Sequence, residues 1–141
     1  MVNVTNRHIE YLSQTVEGKK HDKKILDEQP LRFPQNSCVY KDSGFQGYEP
    51  EGTLTYQPKK KPRGGELRVG EKIFNSIISS TRVVVEHVIS GIKRGHIVKD
   101  VFRNTKKQFN DIVMEISCGL HNFRTLYRQT KNDEKFMSIF L

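Results

Sequence analysis

Residues 71–94, EKIFNSIISSTRVVVEHVISGIKR, constrain this chain more than any other stretch. At about 100° per residue, Ile73, Phe74, Ile77, Ile78, Val84, Val85, Val88, Ile89 and Ile92 fall in one apolar sector roughly 160° wide. Asn75, Arg82, Glu86 and Lys93 gather on the opposite side, and Val83 lies nearer to them than to the apolar sector. This division predicts one long helix, with one face on a core and the other presenting a carboxylate flanked by two cations. Three consecutive valines are mediocre helix formers, so packing must hold the segment. Spacing alone leaves open whether Arg82, Glu86 and Lys93 are a site or a solvated face with an ordinary four-residue ion pair.

A chain of 141 residues is expected to make one domain with a modest core, and a mean hydropathy of −0.65 fits a soluble protein. Apolar runs stay far below the roughly 20 residues of a membrane span. Residues 1–10 lack the charged start and apolar centre of a signal peptide, so a cytoplasmic location without a membrane partner is expected. Cys38 and Cys118 have neither a disulfide framework nor zinc spacing, and two reduced, half-buried thiols are expected.

The net charge of +8 is unevenly distributed. Residues 1–58 carry 7 basic and 8 acidic side chains, whereas residues 59–94 carry 9 and 3, and residues 95–131 carry 7 and 3. Positive charge concentrated around and after the long helix points to a polyanion, most simply nucleic acid, although a generic basic surface has the same signature.

Residues 2–15 read as two short strands around a turn at 5–7. HDKKILDE (21–28) reads as a short helix, and Pro30 and Pro34 punctuate the loop after it. SCVYKD (37–42) is the clearest strand and ends on Asp42 and the turn SGFQGY. A carboxylate at the end of a central strand, followed by glycine, is where α/β folds place active groups, but an Asp there also starts turns. GTLTYQP (52–58) reads as an edge strand ended by Pro58. KKKPRGGE (59–66) is either a flexible linker or a loop gripping a nucleic-acid backbone through Lys59, Lys60, Lys61 and Arg63. Gly95 breaks the chain. A second helix is predicted over 105–127, where Phe109, Ile112, Val113, Ile116, Leu120, Phe123 and Tyr127 recur at three- and four-residue spacing as a core stripe. His121, Asn122 and Arg124, beside that stripe, read as capping or surface groups, and the apolar tail FMSIFL has no evident place.

Taken in order, YLSQTVEGKKHDKKILDE, then DSGFQGY, then PKKKPRGGEL, then Arg82, Glu86 and Lys93 in the spacing R-x3-E-x6-K, then CGLHNFR, resemble the C-terminal part of the DDE transposases of bacterial insertion sequences. The resemblance runs from about residue 4 to residue 128. The family signature places Tyr three residues before that Arg, and here Ser79 stands in its place. On this resemblance residues 1–130 are part of a catalytic domain, with 131–141 a tail. The implied fold is α/β and ribonuclease H-like: a mixed sheet with flanking helices, N-terminally truncated.

The resemblance also implies the chemistry, metal-dependent DNA cleavage and strand transfer in transposition. Asp42 and Glu86 match the second and third catalytic carboxylates, which in the family hold two divalent ions, magnesium or manganese. In-line attack on a phosphodiester builds charge on the attacking and leaving oxygens, and two metals stabilise both. By the same match Arg82 and Lys93 hold DNA phosphates, while Lys59, Lys60, Lys61 and Arg63 steer the duplex. The partners implied are transposon ends and target DNA.

The first catalytic Asp of the family lies upstream of the region that matches Val2 to Ser13, and neither Asp22 nor Asp27 replaces it. The chain alone is therefore expected to be inactive and marginally folded, with an N-terminal half or a homo-oligomer as further partner. A frameshift product, a remnant or a misplaced start are alternative origins. The rival from another class is a non-enzymatic, basic DNA-binding or regulatory protein; a basic scaffold without DNA is a third.

Overall fold

A computed structural model describes residues 1–16, 20–29, 31–100, 104, 106 and 108–137. Its elements are α1 (Asp22–Glu28), β1 (Ser37–Tyr40), β2 (Thr53–Tyr56), α2 (Val69–Ile92), α3 (His96–Lys99) and α4 (Phe109–Met137). They fall into two compact units. One comprises Val16–Val83; the other comprises Met1–Thr15 and the chain from Val84 onward, so α2 contributes its first half to one unit and its second half to the other. The mixture of helices with a small parallel sheet is of the α/β kind. No described helix is long and apolar enough to cross a membrane.

In the unit of residues 16–83, β1 and β2 pair in parallel, Ser37 opposite Thr53 through Tyr40 opposite Tyr56. Parallel pairing requires a crossover of about a dozen residues. Here it includes a 3-10 turn at Ser43–Phe45 and is stitched by one buried cation. Lys41 donates from Nζ to the Tyr48 carbonyl at 2.5 Å and to Glu49 Oε1 at 2.7 Å, while Glu49 Oε2 accepts from Thr55 Oγ1 at 2.5 Å on β2. The Lys41 and Thr55 hydrogen bonds hold the Glu49 carboxyl below its ordinary pKa. Tyr40 stacks on Tyr56 with ring centroids 5.3 Å apart, and Tyr56 meets Phe74 of α2 at 6.2 Å. β1 was expected to be central; among the described residues β2 is its one strand partner, and its burial alternates, as suits a strand with one packed face.

In the other unit the expected N-terminal strand pair shrinks to one antiparallel bridge, Val2 with Ile9, around a turn in which Arg7 has φ 60°. Asn3 Oδ1 accepts from the Thr5 and Asn6 amides at 3.0 and 3.4 Å, a side-chain turn that competes with ladder pairing. This segment leans on polar side chains of α4. Asn122 accepts from the Ile9 amide at 2.8 Å and donates to the Ile9 carbonyl at 3.0 Å. Gln129 donates to the Asn6 carbonyl at 3.3 Å, and Asp111 accepts from the Thr15 amide at 2.8 Å. Positions 111, 122 and 129 lie eleven and seven residues apart, about three and two turns, so one stripe of α4 meets the N-terminal backbone and satisfies several of its open groups.

That arrangement overturns the expected core stripe of α4. Ile112 (49%), Ile116 (57%), Leu120 (58%), Phe123 (69%) and Tyr127 (56%) are exposed, and among the described residues of this helix Cys118 is the buried one. The α2 stripe is likewise thinner than expected: Ile78 and Val88 are buried, but Ile73, Ile77 and Ile89 are exposed. The thiols are not half-buried: Cys38 is exposed and Cys118 is buried, and both are free. α4 starts at Phe109 and continues past the expected end at 127 to Met137, while position 105 and residues 138–141 of the tail lie outside the described residues. Gly95 separates α2 from the short α3.

Candidate functional site

Asp42 sits two residues past β1 and caps the 3-10 turn. Its Oδ1 accepts from the Ser43 amide at 2.7 Å and from the Ser43 hydroxyl at 3.4 Å. Its Oδ2 lies 3.9 Å from Arg82 Nη1 of α2, both side chains being more than half exposed. The turn-starting role is therefore real, and it leaves the outer carboxylate oxygen facing the cation of the R-x3-E-x6-K helix.

Glu86 is exposed one turn further along α2, and Lys93 is exposed just beyond the last helical residue, its amide donating to the Ile89 carbonyl at 3.0 Å. Arg82 and Glu86 belong to a continuous helix, so their four-residue spacing places them on neighbouring turns of one face. Val83, beside them, is 46% exposed, as its place nearer the polar side required.

The lysine-rich loop is built rather than slack. Asn75 of α2 accepts from the Lys59 amide at 2.9 Å and donates to the Lys59 carbonyl at 3.0 Å, pinning the loop at its first residue. Lys60 Nζ donates to Gln46 Oε1 at 3.2 Å, and a turn closes between the Pro62 carbonyl and the Gly65 amide at 3.3 Å. Gly64 has φ 79°, a conformation that costs glycine little. Lys59, Lys60, Lys61 and Arg63 are all exposed, so the loop presents a row of cations. Asn75 was placed on the polar face by its periodicity, but its grip on Lys59 had no signal in the sequence.

The family model described as DDE superfamily endonuclease matches residues 2–122. This chain belongs to the DDE superfamily of endonucleases. It is 29% identical over 106 residues to a probable transposase for insertion sequence element IS702 of Microchaete diplosiphon, an alignment that takes in 75% of this chain and 38% of that protein. The chain thus spans about two fifths of the length of that relative. No solved structure matches.

Hard carboxylate oxygens are the donors that small divalent ions such as magnesium and manganese prefer, and Asp42 and Glu86 are of that donor type. On donor number they fall short. Among the described residues no group of three or more His, Cys, Asp or Glu side chains is placed to hold a metal ion. One oxygen of Asp42 is moreover already engaged by Ser43.

Proposed function

We propose that this chain is the C-terminal part of a DDE transposase catalytic domain of the ribonuclease H-like kind, residues 1–130 with a tail at 131–141. Its parent activity would be metal-dependent cleavage and strand transfer of DNA in transposition. The observation that carries this reading is the family match across residues 2–122, within which Asp42 faces the Arg82 of the R-x3-E-x6-K helix. Asp42 and Glu86 are the metal ligands in this reading. Bound divalent ions would supply charge stabilisation at the attacking and leaving oxygens of the phosphodiester. Arg82 and Lys93 hold phosphates beside that chemistry, and Lys59, Lys60, Lys61 and Arg63 draw the duplex in by its charge rather than its sequence. Two carboxylates are fewer than the three the resemblance implies, so on this reading the chain alone does not cut DNA.

A basic DNA-binding protein without chemistry explains the exposed cations equally well, but gives Asp42 and Glu86 no chemical role beyond local contacts such as the Asp42 cap on Ser43. Manganese titration followed by water proton relaxation separates the two. Wild-type chain should bind the ion with Asp42→Asn and Glu86→Gln each weakening it, and indifference of the titration to both substitutions would leave the non-catalytic reading standing.

A further inference from the structure

The unit formed by the N-terminal segment, the second half of α2 and α4 encloses a cleft of about 500 Å³ that the Asp42 and Glu86 chemistry does not use. Arg7, Arg94, Arg124, Arg128, His87 and His121 line it, and no Asp or Glu does. Among the described residues none of the four guanidinium groups meets a carboxylate at ion-pair distance. Four like charges around one concavity repel one another and raise the local concentration of anions, so this surface is far better suited to a polyanion than to water alone. Guanidinium forks match phosphate oxygens two at a time.

Close packing shapes the wall of the cleft. Gly91 of α2 lies against the His121 ring, which a methyl group at position 91 would overlap. His121 in turn holds the Arg7 carbonyl at 3.3 Å, fixing the turn that carries Arg7. Burial, together with the charges of Arg124, His8 and Arg94, keeps the His121 imidazole below its ordinary pKa, against the pull of the Arg7 carbonyl.

We infer that this cleft binds the sugar-phosphate backbone of DNA, as a contact separate from the Lys59–Arg63 loop. The assignment rests on the DNA-processing reading above. Arg7, Arg94 and Arg128 are exposed, which suits a polymer passing along the surface better than an enclosed small ligand. The lining offers guanidinium, imidazole, hydroxyl and amide groups but no Phe, Tyr or Trp for bases to stack on, so it recognises charge and not sequence.

The test uses the full chain, a fluorescein-labelled 30-base-pair duplex of arbitrary sequence, and EDTA throughout, so that metal ligation plays no part. Arg94→Gln/Arg128→Gln should flatten the slope of log affinity against log salt by about 2 and weaken binding at low salt by at least about tenfold. Arg94→Lys/Arg128→Lys should keep the slope. The two single Gln variants, each changing one exposed side chain, give about half the effect and serve if the double variant melts early. Wild-type affinity and slope in the Gln variants would overturn the inference, as would a wild-type chain that binds no duplex. Displacement of the duplex by micromolar inorganic triphosphate would overturn it too, in favour of a small oligophosphate. Because the assay excludes metal, failure here leaves the manganese titration of Asp42 and Glu86 to judge the catalytic reading separately.

Discussion

Arg82 Nη1 stands 3.9 Å from Asp42 Oδ2 with both side chains largely in solvent, so the cation sits beside the carboxylate proposed as a metal ligand. At this separation the Coulomb attraction is only about 1 kcal/mol in water, and exposed pairs contribute about 0–1 kcal/mol to stability. Arg82→Gln should therefore leave the melting temperature within about 2 °C of wild type. It should tighten manganese binding by up to about fivefold, the factor that about 1 kcal/mol of removed repulsion supplies. DNA affinity should fall at the same time. Manganese affinity unchanged or weakened in Arg82→Gln would show that the two side chains do not share a site with the ion.

Asn122 and Asn75 perform the same task in the two units. Each offers its amide oxygen to a backbone N–H and its amide nitrogen to the carbonyl of the same residue, Ile9 in one case and Lys59 in the other. Truncation leaves two backbone groups without these partners, part-buried at Ile9 and exposed at Lys59. Asn122→Ala should cost about 1–3 kcal/mol, read as a lowered melting temperature and faster hydrogen exchange at the Ile9 amide. Asn75→Ala should release the lysine loop, so that trypsin cleaves after Lys59, Lys60 and Arg63 several times faster than in wild type. Unchanged trypsin kinetics would mean that the loop is held by something else.

The elements most legible in the sequence were those whose signals are local. α1 and α2 begin and end within two or so residues of expectation, α2 because apolar periodicity and Gly95 mark it; the cap that His21 supplies to α1 emerges only in the structure. β1 and β2 follow from β-rich runs bounded by turn residues. The outward face of α4 departs from expectation because periodicity tells which residues share a side, not what that side meets. The stripe that does pack is polar: its partners, the Ile9 and Asn6 backbones, lie more than a hundred residues away in sequence. The arginine cleft was illegible for the same reason, since Arg7, Arg94 and Arg124 belong to three separate segments.

Acid should lower the stability of the chain in two steps. Burial lowers the His121 pKa from its ordinary 6.5, so the unfolded chain takes up that proton first. The stability associated with neutral His121 is therefore complete above about pH 6.5 and is lost as pH falls toward the folded value. Glu49 and Asp111 are also held below their ordinary values, by hydrogen bonds from Lys41 and Thr55 and from Thr15 respectively. Their contribution is present above the ordinary carboxylate range and is lost below it, at lower pH than the first decline. Melting curves from pH 8 to 3 should show both, and His121→Gln should remove the first alone. A wild-type melting temperature that stays flat between pH 7 and 5 would contradict the burial of His121.

The α4 stripe yields the sharpest mutational contrast. Were Phe123 and Leu120 core residues, truncating either would cost about 2–5 kcal/mol, enough to unfold a marginal domain. On the exposed face observed here, Phe123→Ser and Leu120→Ser each remove apolar area that is already in contact with water. Their effect should stay within about 0.5 kcal/mol, as for ordinary surface positions. Cys118→Ser on the opposite side is the control, since it places a hydroxyl where a buried thiol sits and should destabilise by about 1–3 kcal/mol. Urea unfolding of the three variants decides the matter. Comparable losses in all three would put the apolar stripe of α4 back in a core, whereas loss confined to Cys118→Ser would establish that α4 packs through its polar side.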